Sequence, residues 1–377
     1  MLKRRKINNK NIRLFECCIL IKGYKRSVIL DTQRYTIDFV PNDLLEIIKK
    51  GKKKTIFDIM SKMDYKDREI YQEYIDFLIE KEYAFFIDKS EISFFPPLSL
   101  KWDSPNIISN AIICYNAQFQ YFDILSQLDS LLCSSIHFLF FEDILFDNLN
   151  NFLLLIDNFT FQSIELLLNY NNSFTIEKLY SLFKYKQIKK ITFFSETNID
   201  LKEDKIKVIS GEKLTTYNSC GGISKKMFTL NLPFFTESQL HNTCLNRKLC
   251  IDYEGNIKNC PAMEQSYGKF KDTTLKEAIE KPGFKDLWFI HKEQIDVCKD
   301  CEFRHICTDC RCFIKDPENI YSQPAKCSYN PYICKWEDQD NYIPVEECGT
   351  YSKETGFMPD KKKIETLNKQ IWGEEDE

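Results

Sequence analysis

Cysteine is the residue type whose number and spacing suggest chemistry in this chain. The 377 residues include 16 cysteines, and 11 of them lie at position 244 or beyond. Eight of the 11 form a regular series: Cys244-x5-Cys250-x4-Gly255-x4-Cys260, then Cys298-x2-Cys301-x5-Cys307-x2-Cys310, then Cys327. A four-iron four-sulfur cluster takes four thiolates, one per iron, so eight cysteines would serve two clusters. Gly255 predicts a hairpin turn between two short strands.

Zinc is the alternative metal for the same cysteines. Two CxxC pairs, Cys298/Cys301 and Cys307/Cys310, offer four thiolates, a set that zinc binds well. Only five residues separate the pairs, whereas zinc sites of this kind usually have about 15–20 between them. The three upstream cysteines would also need another explanation, so the spacing favours iron–sulfur clusters.

Charge and hydropathy limit the classes of partner. Lys and Arg number 52 against 56 Asp and Glu, a net charge of −4, so no overall basic field would hold nucleic acid. The apolar run at 14–21 is too short to span a membrane and lacks the cleavage site of a secretory signal. We therefore expect a cytoplasmic protein with solvated tails at 1–13 and 373–377, no membrane partner and no disulfide framework.

The first 92 residues predict a small domain of strands and helices. The predicted elements are strands at Ser27–Leu30 and Tyr35–Val40, a helix that opens at Pro41, a second helix capped by Thr55, a third with Ile70, Tyr74, Phe77 and Leu78 on one face, and a strand at Tyr83–Ile87. This order resembles a winged helix, in particular the peptide-recognition domain of enzymes that modify ribosomally made peptides. A generic three-helix unit without a binding role is the alternative.

Residues 93–240 predict repeated βα units. Five apolar strands alternate with helical stretches. The predicted strands are Ala111–Tyr115, Ile136–Phe141, Ile164–Asn169, Ile191–Ser195 and Lys205–Ile209. One helical stretch between them has apolar residues at helical spacing: Phe122, Leu125, Leu128 and Leu132. Buried strands in such units form a parallel sheet covered by helices. Five strands are too few to close an eightfold barrel. The predicted fold class is therefore α/β, with a partial (β/α) barrel between the N-terminal domain and a cysteine-rich domain at 241–377.

The cysteine series resembles a known module. The pattern Cx5C, Gx4C, Cx2Cx5C and a final lone Cys is similar to the SPASM domain, the C-terminal auxiliary-cluster module of radical SAM peptide maturases. The neighbouring residues, such as those at 298–304 and 327–332, resemble the SPASM proteins encoded beside an ATP-grasp ligase, known as grasp-with-spasm systems. The specific part of the resemblance covers about residues 241–336.

The resemblance implies ligands and partners. The first auxiliary [4Fe–4S] cluster would be held by Cys244, Cys250, Cys260 and Cys310, and the second by Cys298, Cys301, Cys307 and Cys327. In the resembled module, three residues usually separate the last ligand of the first set from the cysteine before it. Here two residues separate Cys310 from Cys307, and four separate Cys312 from Cys307, so Cys312 remains an alternative. The implied partners are a precursor peptide and an ATP-grasp ligase.

One motif of the resembled enzymes is missing. A radical SAM enzyme needs Cx3Cx2C after its first barrel strand, but here Cys114 is followed by Gln118 and Tyr121 at the other two positions. One thiolate cannot hold that cluster, so cleavage of S-adenosylmethionine is not expected. We predict an accessory protein or pseudoenzyme with no assignable catalytic residue. The alternatives are an active radical SAM-like oxidoreductase with an atypical site and a zinc-stapled scaffold.

The five cysteines before position 244 and His305 lie outside the eight-cysteine series. Cys17 and Cys18 are adjacent, and their side chains should point to opposite faces of a strand. Cys114, Cys133 and Cys220 are scattered in the sequence and are predicted to be inert thiols. His305, inside the Cys301–Cys307 loop, is predicted either to hydrogen-bond a cluster sulfur or to have a surface role.

Overall fold

The computed structural model describes residues 9–52, 54–199, 203–217 and 220–373. The predicted solvated tails fall mainly on residues 1–8 and 374–377, which lie outside the described residues.

The N-terminal part consists of two small sheets and three helices. Its elements are β1 (Asn11–Leu14), β2 (Cys18–Lys22), β3 (Arg26–Asp31), β4 (Thr36–Pro41), α1 (Asn42–Gly51), α2 (Ile56–Met60), α3 (Tyr65–Glu80) and β5 (Ala84–Ile87). Strands β2, β3 and β4 form an antiparallel sheet, and β1 pairs with β5. Thr55 caps α2 as predicted, because its side chain accepts a hydrogen bond from the amide of Asp58.

Helix α3 buries only part of the predicted face: Leu78 is buried and Tyr74 and Phe77 are partly buried against the same core, but the prediction is wrong at Ile70. The buried residues are Tyr71, Ile75 and Leu78, whereas 40% of Ile70 is exposed. Both sets have helical spacing, so the sequence contains two overlapping apolar faces. The position of the β2–β3–β4 sheet decides which face is buried.

The three-stranded sheet is covered on both sides. Ile29 and Val40 pack on the helices, while Val28 and Leu30 pack against Phe303 and its neighbours in the cysteine-rich part. Alternate residues of a strand point to opposite faces, which places these two sets on separate sides. The sheet therefore lies between the N-terminal helices and the C-terminal part of the chain.

The central part contains the five predicted parallel strands. Its elements are β6 (Asn110–Cys114), α4 (Tyr121–Ser130), β7 (Ser135–Phe140), α5 (Phe146–Ile156), β8 (Ser163–Asn169), α6 (Ile176–Leu182), β9 (Ile188–Ser195) and β10 (Ile206–Ser210). Neighbouring strands in this set are all parallel. The predicted face of α4 is wrong at two positions, since Phe122 is 62% and Leu132 is 52% exposed. Tyr121 and Ile124 are buried in their place.

The cysteine-rich part extends this central sheet. Helix α7 (Leu232–Glu237) precedes it, and it contains β11 (Lys248–Ile251), β12 (Ile257–Lys258) and α8 (Leu275–Glu280). Strand β11 pairs in parallel with β6, which gives a seven-stranded, mostly parallel sheet of order β10-β9-β8-β7-β6-β11-β12. The predicted hairpin is confirmed, and Gly255 has the positive φ of +82° that its turn needs.

Short elements complete the C-terminal part. They are β13 (Tyr329–Asn330), β14 (Lys335–Trp336), β15 (Gly349–Ser352), β16 (Gly356–Pro359) and α9 (Lys361–Trp372). None of the helices among the described residues combines the length and the apolar character that a membrane crossing requires.

Candidate functional site

Four cysteines of the series line one cavity in the C-terminal part. Cys298, Cys301, Cys307 and Cys327 all line it, and the atom-free space there, counted together with open solvent, is about 350 Å³. Aromatic side chains such as Phe303 form much of the remaining wall. These four cysteines are the predicted second ligand set. Four thiols around a partly open, mainly apolar cavity are the kind of donor set that an iron–sulfur cluster uses.

The spacing of the thiols bears on the choice of metal. Around a tetrahedral zinc ion, with Zn–S bonds of about 2.3 Å, the sulfur atoms lie about 3.8 Å apart. No three of the eight predicted ligands bring their sulfur atoms within 4.8 Å of one another. An iron–sulfur cluster places a cube of four irons, instead of one ion, between its thiolates. As placed here, no three of these thiols have the mutual spacing of a zinc site.

A buried lysine lies among the thiols of this cavity. Only 4% of Lys292 is exposed, and its Nζ atom lies 3.5 Å from Sγ of Cys307 and 3.9 Å from Sγ of Cys298. Burial lowers the pKa of Lys292, but the neighbouring Cys298 and Cys307 outweigh it, and the net pKa is above the usual value. The amino group of Lys292 is therefore buried beside two thiols.

The thiols themselves respond to burial and to this lysine. Burial raises the pKa of Cys298 to about 12 and that of Cys307 to about 11, and in both cases Lys292 opposes the increase. A free thiol at these positions stays protonated at neutral pH. A bound metal would displace the protons, because the thiolate is the ligand.

The other predicted ligand set also gathers around a lysine. Nζ of the half-buried Lys248 donates a hydrogen bond to Sγ of Cys244 at 3.3 Å, and its pKa is raised by Cys244 and Cys260 against the opposing effect of burial. Cys310 interacts electrostatically with Cys244. The structure thus brings Cys244, Cys260 and Cys310 into one region.

Cys250 lies at the edge of this group. It is fully buried in β11, and its thiol hydrogen-bonds that of Cys114 at the end of β6. Burial, followed by this bond, raises the pKa of Cys250 well above its usual value, with a smaller contribution from Cys260. Cys114, which the sequence predicts to be an inert thiol, thus lies next to a predicted ligand of the first cluster.

The contacts of Cys310 and Cys312 distinguish the two ligand candidates. Sγ of Cys310 accepts a hydrogen bond from the amide of Phe313 at 3.5 Å, whereas Sγ of Cys312 donates one to the carbonyl of Ala262 at 3.0 Å. A metal-bound thiolate can accept but has no proton to donate. These contacts favour Cys310.

Cys220 is a residue of this region that sequence reasoning missed. It interacts electrostatically with Cys260, Cys312 and Lys248, so it lies close to the first ligand set. Its neighbour Gly221 has φ of +80°, and a Cβ at that position would lie 3.1 Å from Sγ of Cys310. The Gly221-Gly222 pair was a signal of close backbone approach that the spacing analysis did not use.

A buried polar network connects the ligand segments of the first set. Oδ1 of Asn242 accepts hydrogen bonds from the amides of Cys244 and Leu245, and its Nδ2 donates to Oδ2 of Asp309 at 2.6 Å. Asp309 also forms a two-point pair with Arg311, at 2.6 and 2.8 Å. The segment that begins at Cys244 and the one that contains Cys310 are therefore fixed to each other.

His305 takes neither of its predicted roles. It is 5% exposed, which excludes a surface role. Its Nδ1 is paired with Oγ of Ser238 at 3.1 Å and its Nε2 with Oε1 of Glu293 at 3.0 Å. Both ring nitrogens are thus engaged with these oxygen atoms and not with a sulfur.

The segment after β6 is organised by aromatic packing. Tyr121, at the third position of the missing triad, is buried and accepts a hydrogen bond from the amide of Asn116, and its ring stacks on Tyr115 at 5.3 Å. Gln118, at the second position, is exposed. Neither side chain is a ligand type that could replace cysteine in an iron–sulfur cluster.

Comparisons with known proteins give a limited result. No protein-family model and no curated protein sequence matches the chain. Among solved structures, the chain is similar to crystal structures of Streptococcus suis SuiB bound to S-adenosylmethionine (10% identity, TM-score 0.30), SuiB alone (9%, 0.30) and SuiB bound to precursor peptide SuiA (12%, 0.25). Each comparison covers 80% of this chain and 96% of the other. At these values the comparisons assign no role to any residue of the chain.

Proposed function

We propose that this protein binds two [4Fe–4S] clusters and assists the maturation of a ribosomally made peptide, as a cytoplasmic SPASM-type protein of the grasp-with-spasm kind. Its C-terminal part at 241–377 would be the SPASM domain. The central part at 93–240 would be a degenerate partial barrel, and residues 1–92 would be a winged-helix peptide-recognition domain. The cavity lined by four cysteines is the observation that carries this proposal.

The two ligand sets would each hold one cluster. Cys298, Cys301, Cys307 and Cys327 would bind the second, and Lys292 would place a positive charge beside it. Cys244, Cys250, Cys260 and Cys310 would bind the first, next to Lys248. A bound [4Fe–4S] cluster supplies one-electron transfer or structural bracing; the protein supplies the thiolates, the two ammonium groups and walls that exclude water.

We assign the protein an accessory role. The segment after β6 offers Cys114 alone for the cluster that would bind S-adenosylmethionine, and Tyr121 is part of the aromatic core there. The anaerobically reduced protein is therefore expected to leave S-adenosylmethionine intact. Formation of 5′-deoxyadenosine, detected by chromatography, would overturn the accessory role and favour the active oxidoreductase.

A groove in the N-terminal part is suited to an extended peptide. Strand β2 is an edge strand of its sheet, and an open groove beside it is lined by Leu20, Leu45 and Ile48 with Lys49 and Lys52. An edge strand offers backbone hydrogen bonds, apolar side chains provide a floor, and the lysines favour acidic residues in the ligand. We propose this groove as the place where the precursor peptide binds.

The peptide groove can be tested by charge reversal. The probe is a synthetic precursor peptide encoded beside the gene, and its affinity is measured by calorimetry. The double variant Lys49→Glu/Lys52→Glu should weaken binding at least tenfold, whereas Lys361→Glu/Lys362→Glu, on the exposed surface of α9, should not. Equal affinity of the two variants would exclude this groove.

Metal analysis tests the cluster assignment. Protein purified without oxygen should contain about eight iron and eight sulfide per chain, from two clusters of four. The double variant Cys298→Ser/Cys301→Ser should retain about half of the iron and sulfide. The control Cys133→Ser, which removes a buried thiol elsewhere, should retain all of both. About two zinc per chain with little iron would contradict the clusters and support the zinc-stapled scaffold.

The partner assignment needs a separate experiment. Co-expression with the neighbouring ATP-grasp ligase and affinity capture of either protein should recover a complex with this chain. Failure to recover the ligase, with the clusters present, would leave cluster binding intact and exclude the grasp-with-spasm assignment.

A further inference from the structure

The turn between β1 and β2 brings two thiols to the same side of the chain. Sγ of Cys17 and Sγ of Cys18 lie 3.9 Å apart, so the predicted opposite orientation of these residues is wrong. Cys17 belongs to the turn that precedes β2, where the alternation of a strand does not apply. Two sulfur atoms are thus presented together by consecutive residues.

A buried carboxylate completes this group. Asp31, 1% exposed, lies directly across from Cys18 in the β2–β3 pair, and one of its oxygens is within 4.8 Å of both thiols. Among the described residues, no other group of three cysteine, histidine or acidic side chains comes this close.

The surroundings hold the three groups in place. Oδ1 of Asp31 accepts hydrogen bonds from the amides of Gln33 and Arg34, both at 2.9 Å, while its Oδ2 faces Nη1 of Arg34 at 3.3 Å. The carbonyl of Cys17 accepts hydrogen bonds from the amide and the hydroxyl of Thr32, at 2.9 and 3.0 Å. Neighbouring contacts of this kind orient the ligands of protein metal sites.

The distances match one class of metal ion. The sulfur atoms of a tetrahedral zinc site lie about 3.8 Å apart, and the two thiols here are separated by 3.9 Å. Cysteine and aspartate are both zinc ligands. A cavity open to solvent, with about 740 Å³ of empty space, is lined by all three groups and by Glu82. It gives an entry path and room for water as a fourth ligand, whereas Glu82 pairs with Arg34.

We propose that Cys17, Cys18 and Asp31 bind one zinc ion. The site is separate from the cysteine series, because Cys18 packs on the helix-facing side of the β2–β3–β4 sheet and the series lies beyond the other side. Binding releases the two thiol protons to solvent and forms two zinc–sulfur bonds and one zinc–oxygen bond. The ion ties the β1–β2 turn to the end of β3.

Wild-type protein provides the first test. The full chain, purified without oxygen, is treated with N-ethylmaleimide in the presence or absence of Zn²⁺, and labelling of Cys17 is mapped by mass spectrometry. Zn²⁺ should slow labelling of Cys17 at least tenfold, and Mg²⁺ should have no effect. Equal labelling with and without Zn²⁺ would overturn the site.

Variants provide the second test. Zinc and iron are measured together in the full chain after exposure to Zn²⁺ and removal of loosely bound metal. Cys18→Ser and Asp31→Asn should each contain about one zinc fewer than wild type with unchanged iron, and Cys133→Ser should match wild type in both. Equal zinc content in all four proteins would exclude the site. A disulfide between Cys17 and Cys18 in the purified protein, seen by mass spectrometry as a peptide lighter by two hydrogens, would exclude it as well.

Discussion

Lys292 is the residue with the clearest electrostatic consequence. A buried ammonium group stabilises negative charge nearby, and a cluster held by four thiolates becomes more negative when it accepts an electron. Lys292 should therefore raise the reduction potential of the second cluster. The lysine side chain has no such effect at an exposed position, where water screens it.

Replacement of Lys292 tests this effect. Lys292→Met should lower the midpoint potential of one of the two clusters, measured by a redox titration followed by electron paramagnetic resonance. Lys299→Met is the matched control, since Lys299 lies in the same loop but pairs with Asp296 and is partly exposed. An unchanged potential in Lys292→Met, with full iron content, would contradict the assignment.

Gly221 sets the distance between two segments of the first ligand region. A Cβ at this position would lie 3.0 Å from the ring of Phe313 and 3.1 Å from Sγ of Cys310, and its φ of +80° is unfavourable for other residues. Gly221→Ala should therefore lose up to about four iron per chain, the content of one cluster. Gly222→Ala is the control, because a Cβ there meets no atom within 4 Å. Equal iron content in both variants would show that the close contact of Gly221 with Cys310 is not needed for cluster binding.

At the scale of elements, the β2–β3 hairpin is fixed to the loop that carries Cys298 and Cys301. Nε of Arg26 lies 2.8 Å from Oε1 of the fully buried Glu302, which also accepts a hydrogen bond from the hydroxyl of Tyr329 at 2.5 Å. The amide of Tyr24 donates to the carbonyl of Asp300. The N-terminal sheet thus contributes to the position of the ligand loop.

Breaking this ion pair should destabilise the fold. Arg26→Met leaves a buried carboxylate without its cation, which typically costs about 3–5 kcal/mol. Arg26→Met/Glu302→Leu should recover much of the loss. Urea unfolding measures both, with Lys353→Met as the control, because the exposed Lys353–Glu318 pair contributes about 0–1 kcal/mol. A single variant as stable as the control would refute this role of Arg26.

Local pattern accounts for the elements that were predicted correctly. The five central strands are short and rich in apolar residues. Thr55 and Gly255 mark a helix start and a turn through a capping side chain and a positive φ. Helix faces were predicted less well, at Ile70 and Phe122, because several apolar residues compete and only the packed neighbour selects among them. Tertiary contact decides such cases.

Part of the candidate site is formed by contacts between residues that are far apart in the sequence. The resemblance to the SPASM domain grouped the four cysteines of the cavity. Neither the resemblance nor the spacing predicted that Cys220 and Lys248 would lie near the first set or that Lys292 would lie beside the second. It also could not predict that β11 pairs with β6, which places Cys250 beside Cys114. These residues are adjacent only in the folded chain.

At the scale of the whole molecule, the packing predicts that loss of the proposed clusters makes the N-terminal sheet less stable. Val28 and Leu30 pack in the same apolar group as Phe303 and Cys307. Removal of iron by a chelator should therefore speed amide hydrogen exchange in β2 and β3, measured by mass spectrometry. Strand β8, in the centre of the large sheet, should be unaffected. Unchanged exchange in β2 and β3 would contradict this coupling.

The contact between the β2–β3 hairpin and the ligand loop also implies an order of assembly. The ribosome completes the β2–β3 hairpin long before it reaches Cys327, the last ligand of the cavity. Once the hairpin rests on the loop from Cys298 to Arg304, Arg26 and Tyr24 hold that loop in its final position. We expect metal insertion to precede this docking, so iron supply during synthesis would determine how many molecules reach the native state.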